Sequence, residues 1–240
     1  MVESQSHALI VGASSGIGRA LAERLAPRAA VSALARRKER LAELVPLGVM
    51  PIQCDVGDAG SLQAAVMTAV DANGPITSMV YCAGLQRIKP LRMSKPEDIA
   101  EVLKVNLEAA LVLGGQFMSK RITSTDAEFC AISSIAAARP EAGILAYAAA
   151  KAGLEAFIKG LAREAAPRRA VAVAPGWLDT EMTQAHGHIY NSSFRDRLAE
   201  SSPLGIADVA AVVDCIEFLI SPAARYITGE ILRVDAGAAL

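Results

Sequence analysis

The sequence carries little net charge of either sign. With 24 Lys and Arg against 25 Asp and Glu, the formal net charge at pH 7 is −1. A protein that binds nucleic acid or an anionic membrane through its charge normally has a clear excess of basic residues. The composition indicates neither kind of partner, and we therefore expect no nucleic-acid and no membrane partner.

The chain also lacks long apolar runs and paired cysteines. Its start, MVESQSHALIVG, has neither a basic segment nor a long apolar run, and charges such as Lys151 interrupt each later run before it reaches the length of a membrane span. Four scattered cysteines show no spacing typical of zinc or of a redox couple. They are Cys54, Cys82, Cys130 and Cys215. We therefore expect a reduced, cytoplasmic protein without a metal site.

What the sequence does contain is an alternation of short apolar runs and longer segments with helical periodicity. Because this pattern is typical of a parallel sheet covered on both faces, and because no linker or repeat interrupts it, we predict one doubly wound α/β domain over 1–240. The predicted strands are 8–11, 30–35, 49–54, 78–83, 129–133, 170–174 and 230–234. The predicted helices include 16–26, 61–70 and 97–118.

A glycine-rich turn follows the first predicted strand. In GASSGIG, Gly12, Gly16 and Gly18 lead into a helix, and glycines at this position allow a phosphate to approach the backbone at the positive helix end. The spacing is Gly-x-x-x-Gly-x-Gly, which differs from the commonest dinucleotide fingerprint. The turn therefore predicts a phosphate site, with a tight turn without a ligand as the alternative.

The second predicted strand ends in basic residues. An acid at this position would bind the ribose hydroxyls of a dinucleotide, whereas a base accommodates a 2′-phosphate. Arg36 stands there, and its forked donors suit a phosphate. We assign Arg37, Lys38 and Arg40 to the solvated start of a helix, where such runs of charge usually lie.

One tyrosine and one lysine stand four residues apart in the run AYAAAKAG, 146–153. On a helix they share one face, so the ammonium of Lys151 would lower the pKa of the Tyr147 phenol. Such a phenol could transfer a proton near neutral pH. The alternative is a tyrosine buried as ordinary packing.

Several motifs in order make the chain resemble the short-chain dehydrogenase/reductases, and within that family the 3-oxoacyl carrier-protein reductases. The resemblance covers nearly the whole chain and implies a Rossmann-type fold, a nicotinamide dinucleotide and a homotetramer or homodimer. The motifs are GASSGIG (12–18), CDV (54–56), CAG (82–84), KVNL (104–107), ISS (132–134), YAAAK (147–151), PGWLDTEMT (175–183) and YITGEILRVDAG (226–237).

The resemblance implies four catalytic residues: Asn106, Ser134, Tyr147 and Lys151. Reducing a ketone needs a hydride at its carbon and a proton at its oxygen. Tyr147 would be the general acid, assisted by Lys151, and Ser134 would donate a hydrogen bond to the substrate oxygen. Asn106, in the middle of a long helix, would hold a water that links Lys151 to solvent. A serine at a strand end is also a common turn residue.

The resemblance also implies the residues that bind the cofactor, which we expect to be NADPH/NADP because of Arg36. Asp55 and Val56 correspond to adenine contacts, although Asp55 could equally be a turn residue. The remaining residues are Gly12, Ser14, Ser15, Gly16, Ile17 and Gly18 in the turn, Cys82, Ala83 and Gly84 along the dinucleotide, Tyr147 and Lys151, and Pro175, Gly176, Leu178 and Thr180 on the nicotinamide side.

The segment 177–205 departs from the strand–helix alternation and is expected to form a flap over the site. His186 and His188 lie in it, but residues two apart do not share a helix face, and no third ligand is nearby, so we do not predict a metal pair.

The sequence leaves the substrate open. A carrier-bound 3-oxoacyl chain, a free keto compound and a cyclic polyketide ketone all fit, and a dinucleotide sensor of the same fold should have lost part of the catalytic set. Basic residues near two helix ends could steer an acidic carrier protein, or they could bind the last carbonyls of those helices. They are Lys120, Arg121, Arg163, Arg168 and Arg169.

Overall fold

The computed structural model describes residues 6–240, and its centre is a sheet of seven parallel strands. The strands are β1 (His7–Val11), β2 (Ala30–Ala35), β3 (Met50–Gln53), β4 (Ile76–Tyr81), β5 (Thr123–Ile132), β6 (Arg169–Pro175) and β7 (Ile231–Val234). Their order is β3-β2-β1-β4-β5-β6-β7. All seven predicted strands are confirmed, and β5 starts earlier than its apolar run suggested.

Helices cover both faces of this sheet, so the predicted doubly wound fold is confirmed. The helices are α1 (Gly16–Leu25), α2 (Lys38–Ala42), α3 (Ala59–Asn73), α4 (Pro96–Leu103), α5 (Ala109–Phe117), α6 (Leu145–Glu164), α7 (Glu181–Gln184), α8 (Ser192–Ser201) and α9 (Val209–Leu219). In β1, Leu9 and Val11 belong to the core formed with α3, α5 and α6, whereas Ala8 and Ile10 belong to the core formed with α1 and α9. Burial on both faces explains why the strands read as continuous apolar runs.

The predicted helix 97–118 is confirmed as an uninterrupted helical segment, and the structure adds a π-helical turn in its middle. A π-helical turn, Lys104–Glu108, separates α4 from α5. Within it, the Asn106 side chain donates to the carbonyl of Val102, four residues earlier, at 2.8 Å. This side-chain bond competes with the backbone ladder and accounts for the local widening, a feature often found at functional sites.

The order of connections changes direction between β1 and β4, which is where open α/β sheets bind ligands. The predicted flap, 177–205, contains α7 and α8 and follows the carboxyl end of β6. Between residues 6 and 240, no helix combines the length and apolarity needed to cross a bilayer.

Candidate active site

A cavity of about 370 Å³ lies at the carboxyl ends of the strands, between the glycine turn and the flap. It collects residues that are far apart in the sequence, as the motifs predicted. Of the predicted cofactor residues outside the Tyr147 and Lys151 pair, the following line it: Gly12, Ser14, Ser15, Gly16, Ile17, Gly18, Arg36, Val56, Cys82, Ala83, Gly84, Pro175, Gly176, Leu178 and Thr180.

The glycine turn is shaped by close approaches that a side chain would prevent. A Cβ atom on Gly12, where φ is +93°, would lie 2.5 Å from the Ala83 nitrogen, and one on Gly18 would lie 2.4 Å from the Gly12 oxygen. Gly16 has a φ of +55° and lines the cavity, and a Cβ atom there would lie 3.7 Å from Thr180 Cγ2. The extended Ser15 residue precedes α1, and within residues 6–240 its side chain caps none of the first helical amides. Those amides suit an anion.

Lys151 is held rigidly beside Tyr147 on α6. Its Nζ donates a hydrogen bond to the carbonyl of Ile132 at 2.7 Å and lies 5.6 Å from the centre of the Tyr147 ring. Burial lowers the pKa of Lys151 to about 8, because the charged form is deprived of water. The ammonium therefore still predominates at pH 7.

The predicted lowering of the Tyr147 pKa by Lys151 was wrong. Burial raises the pKa of Tyr147 to about 12, and a hydrogen bond with Ser134 offsets only part of that rise. Desolvation of the phenol dominates, and the Lys151 ammonium is engaged with Ile132 rather than with the phenolic oxygen. The phenol is consequently protonated at neutral pH, the state in which it can donate a proton.

Ser134 ends the turn after β5 and faces the same cavity. Its Oγ accepts a hydrogen bond from the Ala136 amide at 3.1 Å, which begins a short helical turn. The predicted turn role and the predicted position beside Tyr147 are therefore both present, since one hydroxyl can accept from an amide and still donate.

Asn106 lies behind the cavity rather than in its wall. It is fully buried, and its Nδ2 donates to the carbonyls of Leu85 at 2.7 Å and Val102 at 2.8 Å, while its Oδ1 accepts from the Leu85 amide at 3.3 Å. A Cβ atom on Gly84 would lie 3.3 Å from this oxygen and 3.9 Å from the Lys151 Nζ. Asn106 thus holds the loop after β4 close to Lys151.

Asp55 does not reach the cavity that the described residues form. Its carboxylate accepts a hydrogen bond from the Gly57 amide at 2.9 Å, while the neighbouring Cys54 and Val56 line the wall. The turn role that the sequence left open is present, and the contact of Asp55 with adenine stays a prediction.

Arg36 lines the cavity as expected. Arg37 and Arg40 lie at the partly exposed start of α2, as predicted, but they make contacts that the sequence did not indicate. Arg37 reaches across the glycine turn and donates to Ser15 Oγ at 2.8 Å. It also forms an ion pair with Glu181 of α7 at 2.6 Å, and Arg40 pairs with the same carboxylate at 2.7 Å. These contacts join distant segments, and local charge patterns do not reveal them.

Aromatic residues of the flap form a wall that the sequence analysis missed. Trp177 lies with its ring centre 6.1 Å from those of Tyr190 and Phe194, which are themselves 5.0 Å apart. The Tyr190 hydroxyl donates to Gln86 beyond β4 at 3.5 Å. A usable signal was present, because Trp177 is the only tryptophan of the chain and sits inside the PGWLDTEMT motif. This wall suits an apolar or aromatic ligand.

Of the two alternatives for the basic residues near helix ends, steering of a carrier protein is wrong for Arg168 and Arg169, because both are buried. Arg168 donates to Thr123 Oγ1 at 2.8 Å, at the amino end of β5. Arg169 pairs with Glu128 at 3.0 Å and donates to the carbonyl of Leu219, the last residue of α9. Both lie at the amino ends of the strands, opposite the cavity, and Arg169 fits the alternative of binding a helix's last carbonyls.

Comparison with known proteins finds relatives that match nearly the whole chain. A family model described as enoyl-(acyl carrier protein) reductase matches residues 12–239. A 3-oxoacyl-(acyl-carrier-protein) reductase from Vibrio harveyi is 32% identical over 237 residues, which cover 96% of each protein.

Two solved structures show the same architecture. A short-chain dehydrogenase/reductase from Brucella melitensis, described as a glucose/ribitol dehydrogenase, superposes with a TM-score of 0.91 at 27% identity and covers 98% of this chain and 97% of its own. A variant of actinorhodin polyketide ketoreductase with NADPH gives a TM-score of 0.89 at 28% identity, with the same coverage of 98% and 97%.

Proposed function

Because this chain belongs to the short-chain dehydrogenase/reductase family and is an NAD(P)-dependent oxidoreductase, we propose that it reduces a ketone with NADPH. The observation that carries the proposal is the convergence of Ser134, Tyr147 and Lys151 on one cavity that the glycine turn also lines. One wall is thereby suited to proton transfer and the opposite wall to a phosphate-bearing ligand. The proposal includes roles for Ser134, Tyr147, Lys151 and Asn106 in the reaction.

The residues of the cavity fit a nicotinamide dinucleotide. The backbone at Gly16, which lines the cavity, and the uncapped start of α1 would hold the pyrophosphate. Arg36 would bind a 2′-phosphate, and the stretch from Pro175 to Thr180 would hold the nicotinamide half. When bound, the cofactor supplies the hydride, and the protein supplies the proton.

Tyr147 donates the proton to the substrate oxygen. The phenol is protonated at neutral pH, but its raised pKa makes the proton harder to give, so transfer depends on the negative charge that develops on the substrate oxygen and on the nearby Lys151 ammonium. Ser134 donates a hydrogen bond to the same oxygen, which supports the transition state by typically about 3 kcal/mol for such a donor. Both side chains face the cavity, as this role requires.

Lys151 stabilises the phenolate that Tyr147 leaves behind. Its Nζ lies 5.6 Å from the ring centre and is fixed by the bond to Ile132, so the ammonium is already in place when the negative charge forms. Asn106 acts as a positioning residue, because its amide fixes the loop containing Gly84 and Leu85 against Lys151. Both amide hydrogens are used by carbonyls, so we assign it no proton.

Two substrate classes have specific support. A 3-oxoacyl thioester is supported by the name and identity of the Vibrio harveyi relative. A cyclic ketone is supported by the aromatic wall of Trp177, Tyr190 and Phe194 and by the likeness to the polyketide ketoreductase structure. The burial of Arg168 and Arg169 removes the main argument for electrostatic steering of a carrier protein.

Initial rates against a small panel test the proposal. We would compare kcat/KM for acetoacetyl thioesters on carrier protein and on coenzyme A, for a bicyclic ketone and for a small open-chain ketone, each with NADPH and with NADH. A reductase should turn over at least one class with NADPH. Absence of turnover with every ketone, despite measured NADPH binding, would contradict the ketoreductase function.

We also propose that the protein is a homo-oligomer, a tetramer or else a dimer. Large apolar side chains are exposed on α4, on α5, on α9 and shortly before β7; they include Leu103, Leu111, Phe218 and Tyr226. Strand β7 ends the sheet, so its outer edge has no neighbour among the described strands. Light scattering on the purified protein gives the mass directly, and a monomer at micromolar concentration would contradict this part.

A further inference from the structure

Glu181 ties the flap to the basic end of the cavity. It is the first residue of α7, and its carboxylate accepts from Arg37 at 2.6 Å and from Arg40 at 2.7 Å. Arg37 in turn donates to the hydroxyls of Ser14 at 3.0 Å and Ser15 at 2.8 Å. One carboxylate therefore connects α2, the glycine turn and the flap.

The donors around this carboxylate are of the kind that binds phosphate. Two guanidinium groups converge on it, and forked guanidinium donors recognise carboxylate and phosphate oxygens in the same way. Arg37 and Glu181 line the cavity together with Arg36. Within residues 6–240, Arg36 forms no ion pair of its own, so the carboxylate occupies two of the three arginines at this end.

Their place in the fold says which phosphate these arginines face. Arg37 and Arg40 lie just beyond the carboxyl end of β2, where the adenosine ribose of a dinucleotide binds in such sheets. A 2′-phosphate would enter at this end with roughly two negative charges, against the single charge of Glu181. The two anions would compete for the same donors.

We propose that Glu181 is a specificity-determining residue that competes with the 2′-phosphate of NADPH for Arg37 and Arg40. The inference rests on the proposed function, since it assumes a dinucleotide in the cavity. It has two consequences. Glu181 weakens the binding of NADP⁺ relative to NAD⁺, and entry of the 2′-phosphate releases α7 from the glycine turn.

The test is the equilibrium binding of NADP⁺ and NAD⁺ to the Glu181→Gln variant. Binding is measured through the fluorescence of Trp177, which lines the cavity and is the only tryptophan of the sequence. We expect the Kd for NADP⁺ to fall by about three- to tenfold, because exposed charge pairs contribute modestly. The Kd for NAD⁺ should change by less than about twofold. Glu181→Ala should lower the Kd for NADP⁺ by a similar factor. Because alanine has no amide side chain, this variant excludes an effect of hydrogen bonds between the introduced glutamine and the arginines.

Glu200→Gln is the matched control. It removes one negative charge from the same flap, on α8, and Glu200 is exposed and forms no ion pair within the described part of the chain. Both Kd values should stay at those of the unaltered protein. A shift as large as that of Glu181→Gln would mean that general charge, rather than this contact, weakens NADP⁺ binding, and would overturn the proposal.

Two further outcomes would overturn it. Unchanged binding of both dinucleotides by Glu181→Gln would show that the carboxylate does not compete. Equal tightening of both would place the competition at the pyrophosphate, which NAD⁺ also carries, rather than at the 2′-phosphate. If the unaltered protein binds neither dinucleotide, the proposed function itself fails, and this result is distinct from the other two.

Discussion

Lys151 shows how burial sets the chemistry of a single residue. Because its pKa is lowered to about 8, the ammonium is present below that pH and is lost as the pH rises through it. A mechanism that needs the ammonium should therefore lose turnover on the alkaline side of pH 8. The same ammonium is expected to contact the cofactor ribose, so it should also contribute to dinucleotide binding.

We predict that Lys151→Ala lowers kcat and raises the Kd for NADPH, and that the decline of kcat/KM above about pH 8 disappears in the residual activity. The pH profile separates this role from a merely structural one, since misfolding would lower the whole profile without changing its shape. Unchanged cofactor binding by titration would count against the ribose contact.

Arg36 should determine much of the preference for NADPH. Charge-assisted bonds to a phosphate contribute roughly 1.5–3 kcal/mol, so Arg36→Ala should reduce the ratio of kcat/KM for NADPH over NADH by about one to two powers of ten. Lys38→Ala is the control, because Lys38 is exposed and does not line the cavity that the described residues form. Equal kcat/KM for both cofactors in the unaltered protein would contradict the assignment.

For single residues, the sequence predicted which residues line the site better than it predicted their pKa values and contacts. Most of the residues expected around Tyr147 and the glycine turn meet in one cavity, because the segments that carry them lie at the carboxyl ends of the strands. The pKa of Tyr147 and the contacts of Arg37 were mispredicted, since they depend on desolvation and on a partner 144 residues away in the chain. The role of Asp55 cannot be read from its sequence, because a turn aspartate and a ligand-binding one look the same there.

The π-helical turn between α4 and α5 is the element that most affects the site. The helix was predicted from the apolar periodicity of 97–118, but the π-helical turn within it was not. The widening depends on the bonds that Asn106 makes to Val102 in its own helix and to Leu85 in a distant loop. The second partner is not visible in a local pattern.

We predict that Asn106→Ala destabilises the protein by about 2–4 kcal/mol, because it leaves two carbonyls without their donor in a buried place. Urea unfolding measures this change. Asn191→Ala, which removes an exposed cap of α8, should cost about 1 kcal/mol and serves as the control. A loss at Asn106 no larger than that at Asn191 would contradict the structural role.

At the scale of the whole molecule, a buried polar side chain lies at the amino ends of the strands, opposite the cavity. His7 of β1 donates from Nδ1 to the Gly74 carbonyl at 2.9 Å and accepts at Nε2 from Ser32 of β2, also at 2.9 Å. Burial lowers the pKa of His7 below its ordinary value of 6.5. The unfolded chain therefore binds a proton at a higher pH than the folded chain does.

This difference in proton binding determines how the free energy of unfolding changes with pH. As pH falls below 6.5, protonation favours the unfolded state, so the free energy of unfolding should decrease until the lowered pKa is passed. We predict that His7→Gln is less stable at pH 7 but shows a smaller decrease between pH 7 and pH 5. His188→Gln, at an exposed position, should keep the full decrease. Parallel curves for all three proteins would contradict the prediction.

The architecture was the most predictable level, because it depends on patterns repeated along the chain. Apolar runs such as 30–35 and 170–174 could be read as buried strands, since parallel strands are covered on both faces. The sequence could not show whether the basic residues near the helix ends face solvent or the protein interior. Arg168 and Arg169 look like surface residues in sequence, but their guanidinium groups turn inward to Thr123 and Glu128.

The central claim is that Tyr147 supplies the proton for reduction of a ketone, and Tyr147→Phe tests it most directly. The variant keeps the buried ring and removes only the hydroxyl, so the melting temperature and the Kd for NADPH should stay near those of the unaltered protein. We predict that kcat for the best ketone of the panel falls by about 100- to 10,000-fold. A variant that binds NADPH normally and retains near-normal kcat would contradict the account.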